Sequence, residues 1–87
     1  AALALHKSVP NPATNWATIG YALPEASDVM IVLYDLLGRR VMQLVDGPQR
    51  TGEHRVEVDA SRLPSGVYFV RMRAGDVIKT ERLTVVR

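Results

Sequence analysis

The sequence predicts an all-β domain made of two packed antiparallel sheets. Three observations carry that prediction. Apolar residues recur with period 2 rather than 3.6. Gly, Pro, Asn and Asp interrupt the apolar runs at short intervals. Leu63-Pro64-Ser65-Gly66-Val67-Tyr68 reads as a tyrosine corner, the turn that carries a sandwich chain from one sheet to the other. Its Tyr hydroxyl is expected to bond to backbone a few residues upstream.

Residues 1–8 read as a lead-in, and Ala1-Ala2 without an initiator Met suggests a fragment or processed product. Pro10-Asn11-Pro12 excludes helix and removes ladder donors at two positions. Ile19, Tyr21 and Leu23 alternate with Thr18, Gly20 and Ala22, which assigns Tyr21 to the core. Val29 to Leu33 is wholly apolar, as expected of a central strand. Asp35-Leu36-Leu37-Gly38 fits a type I turn closed by a left-handed Gly, the usual three-residue hairpin. Asp46-Gly47-Pro48 and Thr51-Gly52 are expected to bound a longer loop.

His54, Val56 and Val58 alternate with Glu53, Arg55 and Glu57, the pattern of a half-solvated sheet. Asp59 to Leu63 is expected to form one helical turn capped by Asp59. Tyr68, Val70 and Met72 alternate with Phe69, Arg71 and Arg73, and Gly75-Asp76 suits a tight type II′ hairpin. In the last strand Ile78 and Thr80 share one parity, while Leu83 and Val85 share the other. A bulge near Glu81-Arg82 would reconcile them. About seven strands in this length describe an immunoglobulin-like antiparallel β-sandwich. The final strand runs to Arg87, so the fold needs the whole chain before it can close.

Eighty-seven residues make one domain. A chain of this size buries roughly 60–65 % of its unfolded surface, enough for one packed layer but not for a deep pocket as well. That argues against an autonomous enzyme. The net charge is +2 with both signs mixed, and only Arg39-Arg40 forms a basic pair, so nucleic acid is not an expected partner. Without cysteines the domain depends on its 47 % hydrophobic content alone, and the compartment stays open. No apolar run approaches ~18 residues, so no transmembrane segment is expected. Ala1 to Leu5 is too short for a signal peptide.

A search for chemistry finds little. There is no thiol, no Gly-x-Ser-x-Gly elbow, no His-Glu-x-x-His pair and no phosphate loop. His6 and His54 lack accompanying carboxylate clusters, and His54 reads as a half-buried strand residue with a satisfied ring nitrogen. No catalytic residue, metal or cofactor is expected. Trp16, Tyr34 and Phe69 are the aromatics free to face solvent, although packing explains them more simply than sugar binding. Lys79, Arg82 and Arg87 could form a recognition patch or act as charged guards of an edge strand.

A set of motifs, taken in order, carries a resemblance. They are Val9-Pro10-Asn11-Pro12, Tyr21-Ala22-Leu23-Pro24-Glu25-Ala26, Val32 to Val41 around Asp35-Leu36-Leu37-Gly38-Arg39, Leu63 to Arg71, and Lys79 to Leu83 with terminal Val85-Val86-Arg87. The series resembles the C-terminal sorting domain of the type IX secretion system of Bacteroidetes-type bacteria. It is also similar to the immunoglobulin-like domain of flagellar hook-capping proteins. Many members of the sorting family have aromatics where this chain has Val9 and Ala13.

The resemblance implies a secretion signal that directs a folded cargo, joined upstream in the same polypeptide, across the outer membrane. It implies transit through the periplasm, recognition by an outer-membrane translocon, and removal by a sortase-like peptidase at the cell surface. Residue by residue it places the signal on Pro64, Gly66, Val67 and Tyr68 of the corner and on Lys79, Arg82 and Arg87 of the terminal motif. Two other readings stand beside it: an accessory module that binds carbohydrate or acts as a spacer, and a hook-capping structural module. An exposed first or last strand could also pair weakly with a second copy across a two-fold axis.

Overall fold

The period-2 pattern folds as seven strands: β1 (Ala4–Leu5), β2 (Trp16–Leu23), β3 (Ser27–Asp35), β4 (Arg40–Gln49), β5 (Gly52–Asp59), β6 (Gly66–Ala74) and β7 (Val77–Val85). The computed structural model describes residues 2–87, so Ala1 of the expected lead-in lies outside it. The strands form a three-stranded sheet ordered β1-β2-β5 and a four-stranded sheet ordered β4-β3-β6-β7, with antiparallel neighbours throughout. Among the described residues there is no helix. This is the immunoglobulin-like sandwich that the alternation predicts.

The core is the set of residues that the pleat turns inward from both sheets. Ile19, Leu23 and Val58 come from the smaller sheet, and Ile31, Leu33, Val70, Met72, Leu83 and Val85 from the larger; all are fully buried. Each such side chain contributes about 1.5–3 kcal/mol by leaving water. β3 lies between β4 and β6, as its apolar run requires. Val32 is buried even on the outer face of that strand, whereas Met30 is 37 % exposed. Tyr21 is buried and stacks on His54 across the β2–β5 ladder, with ring centroids 5.0 Å apart.

Both hairpin expectations hold. Gly38 has φ +82° and donates its amide to the Asp35 carbonyl at 3.0 Å. Gly75 has φ +58° at the first position of the two-residue loop joining Ala74 to Val77, as a type II′ turn needs.

Two expectations do not hold. β7 pairs with β6 in unbroken register from Val77 to Val85, without a bulge at Glu81-Arg82. Ile78 shares the outward parity of Thr80 and Arg82 and is 45 % exposed, so it never belonged to the inward set. The register shifts lie instead between β3 and β4, where β4 carries the surplus residues. The long loop from Asp46 to Gly52 is also absent. β4 continues through Gly47 and Pro48 to Gln49, and only Arg50 and Thr51 lead to β5. An edge strand tolerates Pro48 because only one side of it needs ladder donors.

The single turn expected before the corner does form. Leu63 donates to the Ala60 carbonyl at 3.1 Å and closes that one turn. Pro64 disfavours helical backbone at Leu63. The capping role of Asp59 does hold: its Oδ1 accepts from the Ser61 amide at 3.0 Å and from the Ser61 hydroxyl at 2.6 Å.

Candidate recognition surface

The chain leaves the smaller sheet at Asp59 and enters the larger one at Gly66, and the corner lies between them. The buried Tyr68 donates its hydroxyl to the Pro64 carbonyl at 2.7 Å. Arg87 straps the same segment. Its amide donates to Ser65 Oγ at 2.9 Å, its Nε donates to the Leu63 carbonyl at 3.0 Å, and its Nη1 donates to the Thr14 carbonyl. Corner, chain end and the loop before β2 therefore form one assembly. Asp59 lies beside it. Bonds from the Ser61 hydroxyl and amide, with attraction from Arg62 and Arg87, hold its carboxyl below the ordinary range.

β7 is an edge strand, yet half of its outer edge is occupied. Asn11 accepts the Thr84 amide on Oδ1 at 3.0 Å and donates Nδ2 to the Arg82 carbonyl at 3.0 Å. Ala13 then donates to the Thr84 carbonyl at 2.8 Å and accepts from the Val86 amide at 2.9 Å. In an antiparallel strand alternate residues point their backbone groups outward. Beyond Arg82, the outward groups are those of Ile78 and Thr80, and that stretch is open.

The β3–β4 hairpin stands next to the corner. Asp35 Oδ1 accepts the Leu37 and Arg39 amides at 3.0 and 2.9 Å, and Oδ2 accepts Arg39 Nε at 2.7 Å. The Arg39 amide, followed by its guanidinium, lowers the Asp35 pKa from the usual carboxylate value. A shallow depression of about 240 Å³ separates this hairpin from Ser65, Gly66, Val67 and Tyr68. Leu36 and Leu37 at the hairpin tip are 67 % and 77 % exposed.

The structure thus gathers Pro64, Gly66, Val67, Tyr68 and Arg87 at one end of the sandwich. A Cβ on Gly66 would meet nothing within 4 Å, so the corner leaves that position open. Arg82 lies opposite Phe69 on the outer face of the sheet. Lys79 has the opposite parity and lies about 20 Å along the strand from Val85 at the ordinary strand rise. It does not join the others.

Asn11, Ala13, Thr14 and Ser65 were missed as parts of this assembly. Only the two prolines flanking Asn11 hinted that a side chain would have to supply ladder bonds there. Of the aromatics, Tyr34 and Phe69 face each other on the larger sheet, while Trp16 is on the smaller one and 53 % exposed. His54 Nε2 bonds the Arg50 carbonyl at 2.7 Å, the satisfied ring nitrogen expected of a strand histidine. His6 lies 3.4 Å from Glu53 on the surface. Among the described residues no cluster of three or more His, Asp and Glu could hold a metal ion.

The chain is a two-sheet β-sandwich with a clamped corner and a partly capped terminal strand. The model of the secretion system C-terminal sorting domain family matches residues 8–86, and the chain belongs to that family. It is a sorting signal for type IX secretion, which implies a cargo in the same polypeptide and export to the cell surface or beyond. No curated protein matches the chain.

Proposed function

We propose that the folded sandwich itself is the address. In this reading an outer-membrane translocon reads the corner residues Pro64, Gly66, Val67 and Tyr68 together with Lys79, Arg82 and Arg87, after the cargo has folded in the periplasm. A sortase-like peptidase then removes the domain, which supplies no catalysis of its own. Residues 1–87 act as one unit, with 1–8 leading in from the cargo.

The observation that carries this reading is the triple strap from Arg87 to Ser65, Leu63 and Thr14. Segments more than twenty residues apart come together there only when both sheets have formed. The open stretch of the β7 edge at Ile78 and Thr80 offers a further contact by strand addition. The test is a periplasm-targeted fluorescent protein fused to residues 1–87 and expressed in a bacterium that has the machinery. Fluorescence at the surface or in the medium supports the reading; retention in the periplasm refutes it.

A further inference from the structure

The outer face of the four-stranded sheet is not an ordinary solvated surface. Ladder register sets its side chains in rows across β4, β3, β6 and β7: Asp46, Met30, Arg73 and Ile78; then Gln43, Val32, Arg71 and Thr80; then Arg40, Tyr34, Phe69 and Arg82. Four arginines surround a strip of aromatic and aliphatic side chains, with one carboxylate and neither Lys nor Glu in these rows. That is the residue usage of a protein interface, where Arg, Tyr, Phe and Met are enriched and Lys and Glu depleted.

The charge is equally uneven. Arg40, Arg71, Arg73 and Arg82 are all exposed. Among the described residues the ion pairs are His6–Glu53 and Arg39–Asp35, so these four guanidiniums are unpaired. With Asp46 these three rows carry a net +3, and Asp28 and Asp76 lie beside Arg73 at the end of the face. The β5 side of the smaller sheet instead exposes Glu53, Arg55, Glu57 and Asp59. Guanidiniums that the ladder register sets in rows on one face can meet carboxylates through paired, directional hydrogen bonds.

We propose that this face docks on an acidic protein surface of the secretion machinery, a flat patch of Asp and Glu side chains. The proposal rests on the sorting reading and names the chemistry of its partner. The rows cover an area on the order of 400 Å², below the ~800 Å² per partner of a stable complex. The contact is therefore brief, as transport demands, and charge contributes mainly to the rate of encounter.

The test compares export of the fluorescent fusion bearing Arg71→Glu/Arg73→Glu, Arg71→Gln/Arg73→Gln or, on the opposite sheet, Arg55→Glu. Thermal melts of the purified domains report whether each variant folds. Charge reversal should slow export at least ten-fold and neutralisation less, while Arg55→Glu exports like the parent. If the parent fusion is exported and both double variants match it, the docking proposal fails and the sorting reading survives. If the parent is retained, the sorting reading itself fails. Should the domain sediment with phosphatidylglycerol vesicles in a manner that needs Arg71 and Arg73, the partner is a membrane and the proposal is overturned.

Discussion

Asn11 and Thr84 form a rung of β-ladder in which a side chain replaces the backbone. Oδ1 of Asn11 accepts the Thr84 amide at 3.0 Å while Nδ2 donates to the Arg82 carbonyl at 3.0 Å. Pro10 and Pro12 cannot donate, so the amide between them completes the edge of β7. Together with the backbone bonds of Ala13 to Thr84 and Val86, this contact closes the end of the strand whose other end stays open.

Replacing Asn11 tests that rung. Asn11→Ala removes both bonds and should cost about 1–2 kcal/mol. Asn11→Asp keeps the acceptor but sets carboxylate oxygen against the Arg82 carbonyl, so it should be no milder than Ala. Urea denaturation measures both, and the Thr84 amide should exchange faster in each. Wild-type stability in the two variants would show that the Asn11 side chain does not hold β7.

The tyrosine corner makes a separate prediction. Tyr68→Phe deletes the bond to Pro64 and leaves the buried ring in place. Loss of about 1 kcal/mol is expected, lowering Tm by roughly 4–8 °C for a domain of this size. A melt unchanged within a degree would assign the corner no stabilising role.

Arg87 should not be replaceable by lysine. Nε and Nη1 of its guanidinium reach the carbonyls of Leu63 and Thr14 together, a fork that one ammonium group cannot reproduce. Arg87→Lys and Arg87→Ala should therefore lose similar stability, about 1–2 kcal/mol. Near-complete rescue by lysine in a chemical denaturation series would mean that charge alone matters.

Most of the fold was legible because a half-buried sheet writes itself as alternation, and the inward sets on β2, β3, β5 and β6 are the alternating ones. Position 78 misled because parity shows which residues share a face, not whether the opposing sheet covers them. Gly47-Pro48 misled because turn residues also suit an edge strand, and nothing local marks an edge. The corner was readable as a motif. Its union with Asn11, Thr14 and Arg87 was not, since those contacts join residues up to 73 apart in sequence.

Acid should weaken the β3–β4 hairpin. Asp35 has its folded pKa lowered, chiefly by the Arg39 amide, so its contribution is full above the unfolded value near ~4 and is lost as pH falls through the lower folded value. Asp35→Asn should melt below wild type at neutral pH, and the two curves should converge as pH falls below the ordinary carboxylate value. A gap that stays constant through that fall would contradict the assignment.

The most direct test asks whether export follows the folded shape. Leu83 is fully buried on β7, so Leu83→Asp places an unpaired carboxylate in the core and should unfold the sandwich while sparing Pro64, Gly66, Tyr68, Lys79, Arg82 and Arg87. Fluorescent cargo carrying this variant should stay in the periplasm while the parent fusion reaches the medium. Equal export of the unfolded variant would show that a linear peptide, not a sandwich, is the signal.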